Sequence, residues 1–178
     1  EAPTLLLEDV LIEQYSDAAI SATGAILDVT GLTVSAVATC DTALGGVGLH
    51  LVDSDAVLTD VSVTGACTAA LSALGSGTLA AVDTILTATY AGADGLGAAA
   101  RLQGVAATFE DSYLGDSIGV GLMASCGSLT LHDTSVVATV TGDGALGGDA
   151  VVVGDADLEV DAGFFTDAPR CGLRVVGE

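Results

Sequence analysis

The sequence contains no lysine, no asparagine and no tryptophan, and only three of its residues are arginine. Its 24 acidic residues therefore give a formal net charge of −21. A chain this acidic lacks the cations that neutralise phosphates, so we do not expect it to bind nucleic acid. The absence of lysine also excludes Schiff-base chemistry and a Walker-type phosphate site.

Long apolar segments and paired-cysteine motifs are missing as well. No apolar run reaches the roughly 18 residues of a membrane span, so we expect none. The four cysteines form no CxxC motif, which argues against a zinc or redox motif. Because 51% of the residues are hydrophobic, the composition is not that of a disordered chain. We assign residues 1–178 to a single domain and leave open that it is a fragment of a longer exported protein.

An internal repeat organises the sequence. We call its reference positions the corner positions: Asp9, Gly31, Asp60, Asp83, Asp111, Asp133 and Ala162. Apolar residues recur two and four positions before each corner and three positions after it. Each unit also has a second half, in which a small residue precedes an apolar residue, a free position and another apolar residue, as in Gly48-Leu49-His50-Leu51. The local period of two predicts strands, and copies stacked on each other can bury what one unit cannot.

The repeat predicts an all-β fold, a parallel β-helix (solenoid) of about seven coils. Successive corner positions are 22, 29, 23, 28, 22 and 29 residues apart, so short and long coils alternate. The additional residues all fall in one connection, which predicts long loops at 35–47, 87–98 and 137–149 along one edge. The glycine at one corner position predicts a left-handed or turn-like backbone at all of them.

The coil length, corner residues and strand pattern of residues 4–177 resemble the right-handed parallel β-helix family of the pectate-lyase type. This resemblance implies a right-handed coil. It implies no single activity, because the family includes lyases, hydrolases, phage tailspikes and surface proteins without activity.

We predict a non-catalytic structural or adhesive module of an exported bacterial surface protein, located outside the cell or at its surface. Its partner would be a polysaccharide, another surface protein or, by end-to-end association, a further copy of itself. The alternatives are a carbohydrate-active enzyme or carbohydrate-binding module, and a self-assembling extracellular fibre subunit. No catalytic residue can be assigned from the sequence.

Acidic residues supply the first set of candidate ligand-binding groups. The loop acids Asp41, Asp94, Asp143 and Asp149 are interpreted as solvated loop carboxylates, with Ca²⁺ binding as the alternative and no other cofactor expected. The corner aspartates are interpreted as turn residues whose side chains accept backbone N–H groups, rather than as a ladder of cation ligands.

The free position of the second half-unit supplies the other candidates. It forms an outward column: Ser21, His50, Ser72, Arg101, Met123, Val152 and Arg174. On so acidic a molecule, His50, Arg101 and Arg174 either bind an acidic sugar or pair with loop carboxylates, and we favour internal pairing. A catalytic arginine is the third interpretation.

Two cysteines are predicted to be close in space. Cys40 falls in the long loop of the second coil, and Cys67 falls in the short connection of the third coil, at the same edge. We therefore predict a Cys40–Cys67 disulfide. Cys126 and Cys171 lie in different parts of the coil and are not assigned a partner.

Overall fold

The structure is a computed structural model that describes residues 2–35, 46–87, 89–90, 97–137, 139 and 148–177. Nowhere in these ranges is there a helix long and apolar enough to cross a membrane. The strands are β1 (Thr4–Glu8), β2 (Leu11–Glu13), β3 (Ala18–Thr23), β4 (Ile26–Ser35), β5 (Val47–Val52), β6 (Asp55–Thr64), β7 (Ala69–Leu74), β8 (Thr78–Val82), β9 (Ile85–Thr87), β10 (Gly97–Gln103), β11 (Ala106–Glu110), β12 (Tyr113–Gly115), β13 (Gly119–Ser125), β14 (Ser128–His132), β15 (Ser135–Val137), β16 (Asp149–Gly154), β17 (Asp157–Asp161), β18 (Phe164–Thr166) and β19 (Cys171–Val176).

The strands form two parallel sheets along a β-solenoid. The first sheet has twelve strands and contains both strands of the first half of each coil, which are continuous in β4 and β6. The second sheet has seven strands in the order β19-β16-β13-β10-β7-β5-β3, so consecutive coils are neighbours. About six turns join these seven strands, and the predicted all-β parallel solenoid with alternating short and long coils is confirmed.

The strands pair in the register that the repeat predicts. Leu7 pairs with Val29, Val29 pairs with Leu58, and Phe109 pairs with Leu131. In the middle coils these inward columns are almost completely buried, and Leu58 and Phe109 are both 0% exposed. The buried columns form one continuous core, which is the main source of stability for such a fold.

The corner positions adopt the left-handed backbone that their residue types predict. The φ angle is 51° at Asp83, 66° at Gly31 and 56° at Ala162. Two further columns with positive φ mark the other turns of the coil: Gln14, Gly65, Asp116 and Asp167 after the second strand, and Gly24, Asp53, Gly75, Gly104, Cys126 and Asp155 after the third. Aspartate is enriched in this conformation compared with most other residues, so the backbone accounts for many of the aspartates.

In two coils, the glycine near the start of the second-sheet strand marks a close contact between the sheets. A Cβ atom added at Gly48 would collide with the carbonyl oxygen of Ala70 and with a methyl group of Val63. A Cβ at Gly121 would collide in the same way with a methyl group of Val136. The small–apolar pattern of the second half-unit therefore follows from the space available inside the coil.

Hydroxyl side chains occupy the position after the corner in three consecutive coils, which the sequence analysis did not predict. Thr84, Ser112 and Thr134 are all buried. The Ser112 Oγ donates to the carbonyl of Glu110 at 2.8 Å and accepts the backbone N–H of Thr84 at 3.2 Å. These hydroxyl groups therefore link neighbouring coils within the core.

Candidate functional site

The outward column of the second sheet forms as predicted. Ser21 pairs with His50, and His50 pairs with Ser72 on the next strand. Ser72 pairs with Arg101, and the column continues through Met123 and Val152 to Arg174. The side chains of His50, Arg101 and Arg174 are partly buried. One face of an acidic molecule thus gathers two of its three arginines and one of its two histidines.

A cavity of about 290 Å³ opens on this face beside Arg101. Strands β7, β10 and β13 supply its lining, which includes Ser72, Leu74, Arg101, Gln103, Met123 and Ser125. None of the described residues that line it is a carboxylate. The cavity therefore combines a guanidinium and neutral hydrogen-bonding groups with apolar side chains.

Asp149 is not the solvated loop acid that the sequence suggested. It is the first residue of β16 and is 0% exposed. The Nε of Arg170 donates to Asp149 Oδ1 at 2.8 Å and its Nη2 donates to Oδ2, while the Nη1 of Arg174 lies 3.7 Å from Oδ2. The preceding coil has Val120 at the position in register with Asp149. The carboxylate is thus part of an ion pair that links β16 to the last coil.

The sequence analysis did not identify Arg170, although one signal pointed to it. Arg170 and Asp149 are 21 residues apart, which is close to the length of one short coil. Its hydrogen bonds to Asp149 raise the pKa of the Arg170 guanidinium above its ordinary value, against a smaller lowering by burial. Arg170 therefore stays charged, as an arginine guanidinium generally does in proteins.

The corner aspartates border a shallow groove on the first sheet. Asp60, Asp83 and Asp111 line it together with Ile85 and Tyr113, and its volume is about 540 Å³. Burial, followed by the negative charges of two further aspartates at 116 and 167, raises the pKa of Tyr113. Among the residues that the structure describes, no group of three or more His, Cys, Asp and Glu side chains could hold a metal ion.

We predicted that the corner aspartates accept backbone N–H groups, and for the corner positions this stays a prediction. Bonds of this kind are seen for Asp53, in the turn after β5, and for Asp55, the first residue of β6. Asp53 Oδ1 accepts the backbone N–H of Ser76 at 2.9 Å. Asp55 Oδ1 accepts both the backbone N–H and the hydroxyl of Thr78, at 2.9 and 2.8 Å. These bonds connect successive coils, so both carboxylates have a structural role.

His132 lies between two carboxylates at the end of β14. Its Nε2 is 3.2 Å from Asp133 Oδ2, and its Nδ1 is 3.1 Å from Asp161 Oδ2 on the next coil. Only the protonated imidazole can donate to both. Since the His132 side chain is 42% exposed, solvent screens these contacts.

The described cysteines differ in environment. Cys126 and Cys171 are free thiols. Cys67 is 0% exposed, and its backbone N–H donates to the carbonyl of Gly46 in the preceding coil at 2.9 Å. Its predicted partner Cys40 lies outside the described residues, so the Cys40–Cys67 disulfide stays a prediction.

Three of the four loop acids also lie outside the described residues, namely Asp41, Asp94 and Asp143. Their solvent exposure and the alternative of Ca²⁺ binding therefore stay predictions. Of the sequence candidates, the structure places His50, Arg101 and Arg174 on one face of the second sheet and brings Asp149 to Arg174.

Comparison of the chain with protein-family models, curated protein sequences and solved structures gives no match in any of the three. The likeness to the pectate-lyase type therefore depends on coil geometry alone. That geometry establishes a parallel β-solenoid and no narrower family.

Proposed function

We propose that the chain is a non-catalytic structural or adhesive module of an exported bacterial surface protein. The proposal includes the right-handed coil of the pectate-lyase-like superfamily and a location outside the cell or at its surface. A stacked solenoid suits this role because its core continues from coil to coil and gives a stiff rod whose repeated outer surface can contact an extended partner.

The structural positions and contacts of the aspartates are the observation that carries this proposal. The most regular carboxylates of the sequence occupy turn positions with φ near +50°, as at Asp60, Asp83 and Asp111. Asp53 and Asp55 accept hydrogen bonds from the next coil, and Asp149 is neutralised by arginine. Each of these acids has a role in the fold, so catalysis is not needed to explain its presence.

The net charge supports a role as a separate, soluble rod. The described surface exposes apolar side chains, with Leu6 and Leu11 both 61% exposed. A formal charge of −21 opposes non-specific association of such molecules by mutual repulsion. The acidity therefore offsets the high apolar content of the chain.

A polysaccharide screen tests the proposal against the enzyme alternative. The purified chain is incubated with acidic and neutral polysaccharides, and both retention of the protein and new reducing ends are measured. We expect no cleavage of any polymer, whether or not the protein is retained. Cleavage that is lost in Arg101→Ala and kept in Arg174→Ala would overturn the proposal in favour of a carbohydrate-active enzyme.

A carbohydrate-binding module is the second candidate function, and the cavity beside Arg101 favours it. The face that carries this cavity also presents His50 and Arg174, so an extended ligand could lie across several coils. Retention of the chain by a polysaccharide, lost in Arg101→Ala without any cleavage, would select this function.

A fibre subunit is the remaining alternative. Among the described residues β3 and β19 each pair on one side only, and Val175 is 66% exposed. Such edges can add further strands. Electron microscopy of the purified chain distinguishes filaments from single rods, and filaments would favour this alternative.

The predicted Cys40–Cys67 disulfide offers a simple test of export, because disulfides form and persist in the oxidising environment outside the cytosol. Intact-mass analysis before and after reduction should show a gain of two hydrogens, and this gain should disappear in Cys67→Ser. Antibody staining of intact source cells tests the surface location directly. A fully reduced chain found only inside the cell would contradict both expectations.

A further inference from the structure

A trough on the outer face of the first sheet runs along the axis of the solenoid. It has a volume of about 330 Å³ and is lined by residues of five neighbouring strands, β4, β6, β8, β11 and β14. Neighbouring strands of a sheet are about 4.8 Å apart, so four spacings give the trough a length of about 19 Å. A volume this small over such a length leaves room for one unbranched chain and excludes a globular ligand.

The middle of the trough is neutral. Methyl and hydroxyl side chains form its walls in two outward columns, with Val57, Ala80, Thr108 and Thr130 in one and Thr78, Ala106 and Ser128 in the other. The methyl groups can pack against methylene groups of a ligand, and the hydroxyl groups can form hydrogen bonds to it. This lining suits an aliphatic chain that carries no charge in its central part.

Carboxylates lie at both ends of the trough. At one end, Asp28 and Asp55 occupy the adjacent strands β4 and β6. At the other end, the next strand, β17, carries Asp157 and Glu159 in register with the last residues of the two walls. All four residues are exposed. Asp55 and Asp157 are four strand spacings apart along one column, which corresponds to about 19 Å.

The chain has no lysine or arginine on the first sheet to neutralise these carboxylates. Arg101 and Arg174 are in strands of the second sheet, and Arg170 immediately precedes β19. His132 is in the first sheet, but both of its ring nitrogens contact other carboxylates. On a molecule of net charge −21, two such pairs of carboxylates attract cations.

The geometry points to a binding site for an unbranched aliphatic chain with an ammonium group at each end, which is the chemistry of a long diamine. Each ammonium group pairs with the carboxylates at one end, and the methylene groups lie along the neutral walls. An exposed ion pair contributes little by itself, but two ion pairs joined by a chain of matching length reinforce each other. A chain too short to span the trough has no such gain. This inference goes beyond the proposed function and does not depend on it.

Two diamines of equal charge and different length test the span. Dodecanediamine is long enough to approach both pairs of carboxylates, whereas putrescine can reach only one pair at a time. In calorimetric titration of the intact chain at low ionic strength, dodecanediamine should bind at least about tenfold more tightly than putrescine. Equal affinities would show that the two ends bind cations independently, which would contradict the inference.

Charge variants locate the ends of the site. The double variant Asp157→Asn, Glu159→Gln removes both carboxylates at one end and should weaken dodecanediamine binding about tenfold. The control is Asp83→Asn, Asp111→Asn, which removes the same charge from the groove at the corner positions, where asparagine tolerates a positive φ. Binding to the control should be nearly unchanged. Equal losses in the two double variants would mean a general attraction to the acidic molecule and no defined site.

A variant that keeps every charge tests the trough itself. Ala106 lies midway along one wall and is exposed, so Ala106→Leu fills the trough without disturbing the core. It should reduce dodecanediamine binding to the level of putrescine and leave putrescine binding unchanged. Unaffected binding of dodecanediamine in Ala106→Leu would refute the inference, even if Asp157→Asn, Glu159→Gln fails to fold by circular dichroism.

Discussion

The corner aspartates show how a single backbone angle can determine the choice of residue. A left-handed backbone costs most residues roughly 1–2 kcal/mol, glycine nothing and aspartate less than most. Asp83 has φ of 51°, and Gly31 occupies the equivalent position one coil after Asp9. At Gly31 a Cβ atom would lie 2.6 Å from Asp9 Oδ1, so glycine also provides space there.

Two substitutions at Asp83 separate the backbone from the charge. Asp83→Gly and Asp83→Val both remove one carboxylate, but only valine resists a φ of 51°. We expect the valine variant to be about 1–2 kcal/mol less stable than the glycine variant in urea denaturation. Equal stability of the two variants would show that the corner does not require this conformation.

Tyr15 is expected to ionise late. The residue is 8% exposed, and burial raises the pKa of its phenol to about 12 from an ordinary value of 10.0. The fold favours the neutral phenol over the phenolate. The contribution of the buried Tyr15 side chain to the free energy of unfolding is therefore complete below pH 10 and is lost as the pH rises towards 12. Absorbance titration should show a tyrosinate step near pH 12 that is absent in Tyr15→Phe. A titration that is the same in both proteins would contradict the assignment.

At the scale of the elements, glycine allows a close contact between the two sheets in two of the coils. Gly48 on β5 and Gly121 on β13 are both enclosed by neighbouring backbone and methyl groups. Close packing of this kind leaves no room for an additional methyl group, because interiors are filled nearly as densely as organic crystals. The coils can therefore stack only while these positions remain small.

Alanine at Gly48 should disturb this contact. The added Cβ would collide with the carbonyl oxygen of Ala70, which cannot move without moving β7. We expect a loss of about 1–3 kcal/mol in the free energy of unfolding, typical of overpacking. Gly177→Ala is the control, because a Cβ atom there meets nothing within 4 Å. Similar denaturation curves for the two variants would show that the contact can relax.

The ion pair between Asp149 and Arg170 makes a second prediction about coil stacking. Arg170→Met leaves a fully buried carboxylate that, among the residues the structure describes, keeps only the longer contact with Arg174, which should lower the midpoint of urea unfolding. The double variant Asp149→Val, Arg170→Met should regain most of that loss, because Val120 already occupies the position in register with Asp149. A double variant less stable than Arg170→Met alone would show that the carboxylate stabilises the fold in another way.

For the whole molecule, the repeat was sufficient to predict the architecture. The inward columns, the positive φ at the corners and the register of the outward column all follow from residue types at fixed spacing, as the pairing of Ser72 with Arg101 shows. Each of these features depends only on local alternation and on the coil length. The local alternation and the coil length can both be read directly from a periodic sequence.

The features that the sequence did not predict depend on contacts between different positions of adjacent coils. Thr84 and Ser112 could be placed in the core only when the carbonyl groups beside them were known, because a buried hydroxyl needs a partner. The burial of Asp149 depends on Arg170, which lies in a connection outside the repeat pattern. The cavity beside Arg101 likewise depends on side-chain sizes on three strands.

The charge of the whole chain leads to the last prediction. With 24 acidic residues and three arginines, compaction brings like charges together, and this repulsion lowers the stability of the fold. Salt reduces the Debye length from about 30 Å at 0.01 M to about 3 Å at 1 M. The melting temperature should therefore rise over this range in sodium chloride. Sodium perchlorate is the control salt, because it screens charges equally but does not strengthen apolar contacts. At the lower concentrations, the melting temperature should rise in sodium perchlorate as well. A melting temperature that falls with both salts would mean that attractive pairs such as His132–Asp161 outweigh the repulsion.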